Sequence, residues 1–498
     1  VSSLPLLKAS LITIDRLKKE IQMKNDAKFS RRTFIKTTGA GLAGGITLAP
    51  SAKAQSSPES ARRPNIIVLI SDDHRYDALG CMGNQVIRTP VLDEMAKKGA
   101  IFPNNCCTTS ICCSSRASIL TGMYTSRHEI INFDDDLPPR IWNQSYPVLL
   151  RQSGYHTGFV GKFGVGTNLP AESFDFWRGI PGQGKYWNVV GGRKKHLTDI
   201  FTGDALEFLD TCPSDRPFCL SVSFKTGHTI DYDPRPWQPK PEFSDYYKED
   251  TVPVPPTATE SAYQSLPGFL KNSEGRSRWK NRFSSPERYQ ETVKDYYRLI
   301  TGMDNAIGKI RSRLTAMGCA DNTIILYQGD NGFYMGEKGL AGKWYAHEVS
   351  MKTPSIILDP RLPRTLQGRR SEDMSLNIDV TPTILEWAGI PVPSNVQGTS
   401  LVPILQGDSD FLREDCFYEH PFEYAGKIPQ SEGVRSNRWK YIRWISQEPV
   451  YEELYDLEKD SREMQNLAGN IAFSDQLDKM RGRWRALRRQ VKEPAFPA

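Results

Sequence analysis

Pro64-Asn65-Ile66-Ile67-Val68-Leu69-Ile70-Ser71-Asp72-Asp73 decides how this chain folds. The apolar run from Ile66 to Ile70 is unbroken, with no polar residue at alternate positions. Such a strand is covered on both faces, as in a sheet with helices on either side. Its polar end, Ser71-Asp72-Asp73, is where the backbone leaves the sheet. Asn322-Thr323-Ile324-Ile325-Leu326-Tyr327-Gln328-Gly329-Asp330-Asn331-Gly332 repeats the design: a strand, then a carboxylate, an amide and a glycine. Pro217 to Phe224 is a third such strand, followed by Lys225 and His228, and Pro354 to Leu358 is a fourth.

Helical patterns lie between them. Thr198 to Asp210 sets Ile200, Phe201, Ala205, Phe208 and Leu209 on one side, and Tyr296 to Leu314 does the same with Leu299, Ile300, Met303, Ile307, Ile310 and Leu314. Asp379 to Ala388 is a third helix, with Pro382 near its start. Strands alternating with helices predict an α/β fold, a large mostly parallel sheet flanked by helices, over residues 62–405. In such sheets chemistry gathers beyond the carboxyl ends of the strands, where the polar clusters fall. Residues 231–290 are rich in Pro, Tyr and charge and read as an insertion able to cover the site. Residues 411–498 read as a C-terminal subdomain, a small antiparallel sheet around Gly433–Trp444 and Glu453–Leu457 with a helix over Phe473–Val491.

The N-terminus reads as an address. Ser30-Arg31-Arg32-Thr33-Phe34-Ile35-Lys36 fits the twin-arginine pattern, a Gly/Ala-rich run follows from Thr37 to Ala49, and Ala52-Lys53-Ala54 is a small-x-small cleavage site. Residues 23–54 are then a signal peptide and residues 1–22 a mis-called start upstream of Met23. The apolar run is too short to span a membrane. This predicts export of a folded protein by the twin-arginine translocase to the periplasm or the outside. The full chain carries 64 basic and 58 acidic residues, but residues 1–54 hold ten basic and three acidic ones, so the mature chain has a net charge of −1. The basic excess belongs to the signal, which excludes a nucleic-acid surface. Nine cysteines are too few for a disulfide scaffold, although Cys212 and Cys219 flank a short loop and can pair in an oxidising compartment.

The chemistry is written in Cys112-Cys113-Ser114-Ser115-Arg116-Ala117-Ser118-Ile119-Leu120-Thr121-Gly122. The vicinal pairs Cys106-Cys107 and Cys112-Cys113 do not have zinc-ligand spacing. The stretch resembles the core motif of the formylglycine-dependent (type I) sulfatases of the alkaline-phosphatase-like superfamily, Cys-x-(Pro or Ala)-Ser-Arg-x-x-x-Leu-Thr-Gly, with Ser114 at the Pro/Ala position. Cys112, not Cys113, has Arg116 at the required offset. The resemblance runs from about Arg63 to Asn466, with motifs in the family's order. It implies that Cys112 is oxidised to formylglycine by a formylglycine-generating or anaerobic sulfatase-maturing enzyme. It implies one calcium ion held by Asp72, Asp73, Asp330, Asn331 and the modified Cys112, a ligand set of the hard oxygens that calcium prefers. It sets Arg116, Lys162, His228 and Lys343 around the sulfate, where fixed cations stabilise redistributing charge. One hydroxyl of the aldehyde hydrate then attacks sulfur, His228 or Lys343 protonates the leaving oxygen, and the second hydroxyl expels sulfate.

One position departs from the family. Gly-Lys-Trp-His is common there, and Gly161-Lys162-Phe163-Gly164 lacks the histidine, leaving its task to another group such as His128 or a water. The insertion offers Trp237, Tyr246, Arg276, Arg278, Trp279, Lys280 and Arg282, and aromatics stack on sugars while arginines pair with sulfates. Gly179 to Trp187 also resembles a segment of carbohydrate sulfatases. The expected substrate is therefore a sulfated polysaccharide or its oligosaccharides. The alternatives are a broad arylsulfatase, a two-metal phosphomonoester or phosphonate hydrolase of the same superfamily, and a non-catalytic glycan binder.

Overall fold

A computed structural model describes residues 63–409 and 411–492. The signal-peptide and upstream readings, residues 1–54, lie outside the described residues. The predicted first strand is Asn65–Ser71, buried along its whole length. Ile66, Val68 and Ile70 pack into one hydrophobic cluster and Ile67 and Leu69 into another. The unbroken apolar run thus has its cause: alternate side chains feed two cores, one on each face.

The strand lies near the middle of an eight-stranded sheet. The spatial order is Arg369–Arg370, Ala100–Ile101, Ser355–Leu358, Thr323–Gly329, Asn65–Ser71, Phe218–Ser223, His156–Lys162 and Phe176–Ile180. Asn65–Ser71 pairs in parallel with both Phe218–Ser223 and Thr323–Gly329, and Ser71 lies opposite Gly329. That register brings Asp72 and Asp330 out of the sheet side by side. The fourth predicted strand is found at Ser355–Leu358, but it runs antiparallel to its neighbour. A parallel return needs a crossover of a dozen or more residues, usually helical. The segment between Gly329 and Ser355 holds only single helical turns and a two-residue hairpin, so the chain re-enters at the end from which it left.

The predicted helices form at Leu197–Thr211, Pro286–Ala316 and Val380–Trp387. The second begins ten residues before the predicted Tyr296. Pro286 stands at its first turn and the Ser285 side chain accepts from Arg288 N at 3.2 Å, a regular N-terminal stop that the apolar pattern did not mark. At the C-terminus, Asp415–His420, Ser431–Ser436, Trp439–Trp444 and Tyr451–Asp456 form an antiparallel meander, with the helix Ser474–Lys492 packed on it. No helix among the described residues is long and apolar enough to cross a membrane.

The insertion is better ordered than its composition suggests. It holds the short helices Glu260–Gln264, Gly268–Lys271 and Glu274–Arg282. Trp237, expected as a sugar-stacking platform, is fully buried: it packs edge-on against Tyr296, and its Nε1 donates to Gly227 O at 2.7 Å. All nine cysteines are free thiols, so Cys212 and Cys219 do not pair. Trp237→Ala should therefore act on the fold rather than on glycan binding. We expect a loss of about 3–5 kcal/mol in equilibrium denaturation, the cost of emptying a large buried aromatic site.

Candidate active site

Asp72 and Asp73 come directly after the central strand, and Asp73 adopts a left-handed backbone with φ of 46°. Few residues other than glycine take that conformation, and carboxylates and amides do so most readily. Asp330 N donates to Ser71 O at 3.0 Å, which locks the two strand ends together, and Asp73 N donates to Asp330 Oδ1 at 3.0 Å. Asn331 Nδ2 donates to Asp73 Oδ1 at 2.8 Å. Asp72, Asp73 and Asp330 are buried, and one carboxylate oxygen from each lies within 4.8 Å of the others. Gly227, with φ of 101°, lets the loop after Phe218–Ser223 reach this point; a Cβ there would collide with the Asp72 carbonyl.

The motif forms the helix Cys112–Thr121, every residue of which is buried. Ser115 Oγ donates to Asp330 O at 2.5 Å, and Asn377 Nδ2 donates to Ser115 Oγ at 2.9 Å, so the helix start is tied to the strand end. Sγ of Cys112 lies within 4.8 Å of a carboxylate oxygen of Asp72 and a ring nitrogen of His228. Cys113 turns away, with Sγ 3.8 Å from Ile131 O, and burial pushes its thiol up to about 12.

The four predicted cationic groups all arrive at the cluster, and three of them lie on carboxylates. Lys162 Nζ donates to Asp72 Oδ2, Lys343 Nζ donates to Asp73 Oδ1 at 2.5 Å, and Arg116 Nε donates to Asp330 Oδ2 at 2.9 Å. Arg116, expected around the sulfate, braces Asp330, Lys162 O and the Ser223 hydroxyl with its guanidinium. His228 sits with Nε2 3.9 Å from Asp73 Oδ2 and Nδ1 2.7 Å from Thr229 O. Burial drives the Asp330 carboxyl up to about 7, with repulsion from Asp72 adding to it. Burial also opposes ionisation of Asp72, but Lys162, Arg116 and Lys343 outweigh it and hold that carboxyl well below its ordinary range. Burial keeps His228 largely neutral despite the pull of Asp72.

Other predicted residues stand elsewhere. His128 is not at the cluster: its Nε2 meets Ser118 Oγ at 3.1 Å and its Nδ1 accepts from Ile130 N at 3.1 Å, so both ring nitrogens are spent on local structure. Arg276 is clamped between Tyr263 and Trp279, 3.9 and 4.1 Å from the ring centres, and donates to Gly339 O. That pair is a packing device and not a free sugar platform. Arg278 binds Asp231 and Glu274 and lies over the Trp344 ring, next to Lys343.

Sequence reasoning missed two contributors. Gln183 accepts from Lys162 Nζ at 2.6 Å, and its Nε2 lies 3.8 Å from Cys112 Sγ. Lys225 is buried beside the Tyr186 ring, and burial lowers it to about 8 against the pull of Asp72. The signal for Gln183 was available in the Pro181-Gly182-Gln183-Gly184 turn; that for Lys225 was only its place after a strand.

A family model described as sulfatase matches residues 64–390, and one described as N-sulphoglucosamine sulphohydrolase, C-terminal, matches residues 336–490. An N-acetylglucosamine-6-O-sulfatase from Bacteroides thetaiotaomicron is 28% identical, with 86% of each chain covered. An arylsulfatase from Clostridium perfringens is 27% identical over 84% of this chain and 93% of its own. A solved structure in complex with its substrate, D-glucosamine-2-N,6-O-disulfate, superposes with a TM-score of 0.74 at 25% identity, covering 88% of this chain and 100% of that one. A phosphonate monoester hydrolase from Agrobacterium radiobacter shares the fold, with a TM-score of 0.72 at 20% identity over 86% of this chain and 96% of its own.

Gly164, at the position of the missing histidine, is closely packed. Its φ is 72°, and a Cβ would lie 2.9 Å from Arg116 Cδ and 3.2 Å from Lys162 Cε. Gly164→Ala should cost about 1–2 kcal/mol of stability in urea unfolding through the left-handed backbone alone. It should also lower turnover by displacing Arg116 from Asp330.

Proposed function

The chain belongs to the sulfatase family of the alkaline-phosphatase-like superfamily, and we propose that it desulfates a sulfated glycan or its oligosaccharides through a formylglycine made from Cys112. Membership makes it a sulfuric ester hydrolase. The observation that carries the finer reading is the place of Cys112. It opens a wholly buried helix and meets Asp72 and His228, while Cys113 points into the packing behind.

The residues also fit a calcium ion. Asp72 Oδ1 and Asn331 Oδ1 are buried without a hydrogen-bond partner, and a cluster of carboxylates with an amide oxygen is the donor set of a hard divalent cation. Asp72, Asp73, Asp330 and Asn331 would hold the ion, together with an oxygen on residue 112 after modification. When bound, it supplies fixed positive charge against sulfuryl oxygens.

The chain's own groups account for the remaining steps. One hydroxyl of the residue 112 hydrate attacks sulfur as the sulfur–oxygen bond of the ester breaks. Lys343, which faces Asp73, holds a proton that can pass to the departing oxygen; His228, neutral with its Nδ1–H on Thr229 O, could do so only after taking up a proton at Nε2. The second hydroxyl then expels sulfate and restores the aldehyde. Arg116 acts by holding Asp330 in place. Arg278, packed over the buried Trp344 ring and beside Lys343, is the cation nearest to the part of the substrate beyond the sulfate. The substrates in the names of the relatives, a 6-sulfated N-acetylglucosamine and a glucosamine disulfate, support an amino-sugar sulfate. The maturation enzyme that oxidises Cys112 and the twin-arginine translocase are the proposed partners. Twin-arginine export, supported by Ser30–Lys36, places the enzyme in the periplasm or outside the cell.

Peptide mass spectrometry of protein made with a maturation enzyme should show the aldehyde at Cys112 and an intact thiol at Cys113. Cys113→Ser should keep activity on sulfated N-acetylglucosamine, and Cys112→Ala should abolish it. Full activity with an unmodified Cys112 would refute the mechanism. Metal withdrawal by a chelator should lower both activity and the unfolding temperature, and calcium should restore both. At a hundredfold excess over its dissociation constant the ion stabilises the fold by about 2.7 kcal/mol.

A further inference from the structure

The turn Pro181-Gly182-Gln183-Gly184 carries a side chain that the mechanism above leaves without a task. Gln183 is half-buried, with one end of its amide on each of two reacting groups. Its Oε1 accepts from Lys162 Nζ at 2.6 Å and its Nε2 points its N–H at Cys112 Sγ, 3.8 Å away. Lys162 Nζ is held on its other side by Asp72, so Asp72, Lys162, Gln183 and Cys112 form one hydrogen-bonded chain. The turn is held in shape: Gly182 and Gly184 have φ of 58° and 65°, and a Cβ at Gly184 would press on Ile180 and Leu197. Across the site, a side chain at Gly164 would have to displace Arg116 and Lys162.

We propose that Gln183 orients the reacting oxygen on residue 112 and holds Lys162 beside it, taking the place of the histidine that Gly161-Lys162-Phe163-Gly164 lacks. This rests on the formylglycine reading, in which Cys112 Sγ stands in for a hydroxyl oxygen of the aldehyde hydrate. An amide offers an N–H and a carbonyl and has no proton to lose near neutral pH. Gln183 therefore works by position, donating to the oxygen at residue 112 and accepting from the ammonium, and not as a base. Removing one well-placed donor to a reacting oxygen costs about 10²–10³ in turnover.

Gln183→Glu is the test, because the two side chains have one shape and differ in the N–H. A carboxylate there still accepts from Lys162 but has nothing to donate to the residue 112 oxygen. With formylglycine verified by mass spectrometry and an aryl sulfate as probe, Gln183→Glu and Gln183→Ala should each lose about 10²-fold in kcat at neutral pH, with KM within about 3-fold of wild type. Gln183→His, which can again present an N–H, should recover at least about 10-fold of the loss seen in Gln183→Ala. A merely structural role would leave Gln183→Glu near wild type, since glutamate fills the same space and keeps the contact with Lys162. A wild-type kcat in Gln183→Glu, or no recovery in Gln183→His, overturns the proposal. If wild-type protein bearing the aldehyde cleaves no sulfate ester, the parent reading fails instead, and this one falls with it.

Discussion

Three carboxylates out of water at the ends of two adjacent strands are the constraint around which this molecule is arranged. Asp72, Asp73 and Asp330 approach within 4.8 Å of one another in a buried place. Like charges about 4 Å apart repel by about 4 kcal/mol at the effective dielectric of a protein. Arg116, Lys162 and Lys343 answer with one cation for each carboxylate. The balance is uneven: Asp72 is drawn down by three cationic neighbours, while Asp330 stays raised to about 7 by burial and by Asp72. A cluster so composed has a standing demand for further positive charge. That demand suits a divalent ion, and it explains why each cation comes from a different element of the fold.

The loop that brings Lys343 to this cluster has little regular structure of its own, and the C-terminal sheet supplies its rigidity. Glu348, five residues on, pairs with Arg435 and Lys440 from two neighbouring strands of that sheet, each at 3.0 Å. Tyr418 OH donates to Trp344 O at 2.8 Å, and Glu419 N donates to Thr108 O just before the motif helix. Removing one partner of a buried ion pair leaves an uncompensated charge, so these contacts fix geometry more than they add net stability. The sheet far from the motif in sequence is thus the frame of the site.

What was legible in the sequence was whatever depends on local pattern. The apolar runs from Ile66 and Ile324 marked their strands because burial on both faces leaves a one-dimensional trace, and the motif order marked Cys112, Asp72 and Asp330. What was not legible depends on approach from a distance. Nothing local says that Trp237 turns inward to hold Gly227, that the Arg276 guanidinium is clamped between two rings, or that His128 spends both nitrogens on its own turn. Charge and aromatic content over 231–290 resembled a binding loop because internal and substrate-facing ion pairs have the same composition. The reversed direction of the strand Ser355–Leu358 was not legible for a related reason: hydrophobicity records burial and carries no direction.

The same fold hosts phosphonate monoester hydrolysis, so architecture alone does not choose the chemistry. The donor set does. A site that clamps both the attacking and the leaving oxygen with two metals needs two ligand sets about 3.5–4 Å apart. Among the described residues the metal-capable groups are two triads that share Asp72, one made of carboxylates and one containing Cys112 and His228. Because they share Asp72, they support the proposal of a single ion bound there. On that proposal the work of a second metal would fall to fixed cations, and Lys162 and Lys343 lie on the same carboxylate cluster. A transferring sulfuryl group, with less charge on its oxygens than a phosphoryl group, needs less neutralisation. The single ion proposed here, with two ammonium groups beside it, would match that smaller charge.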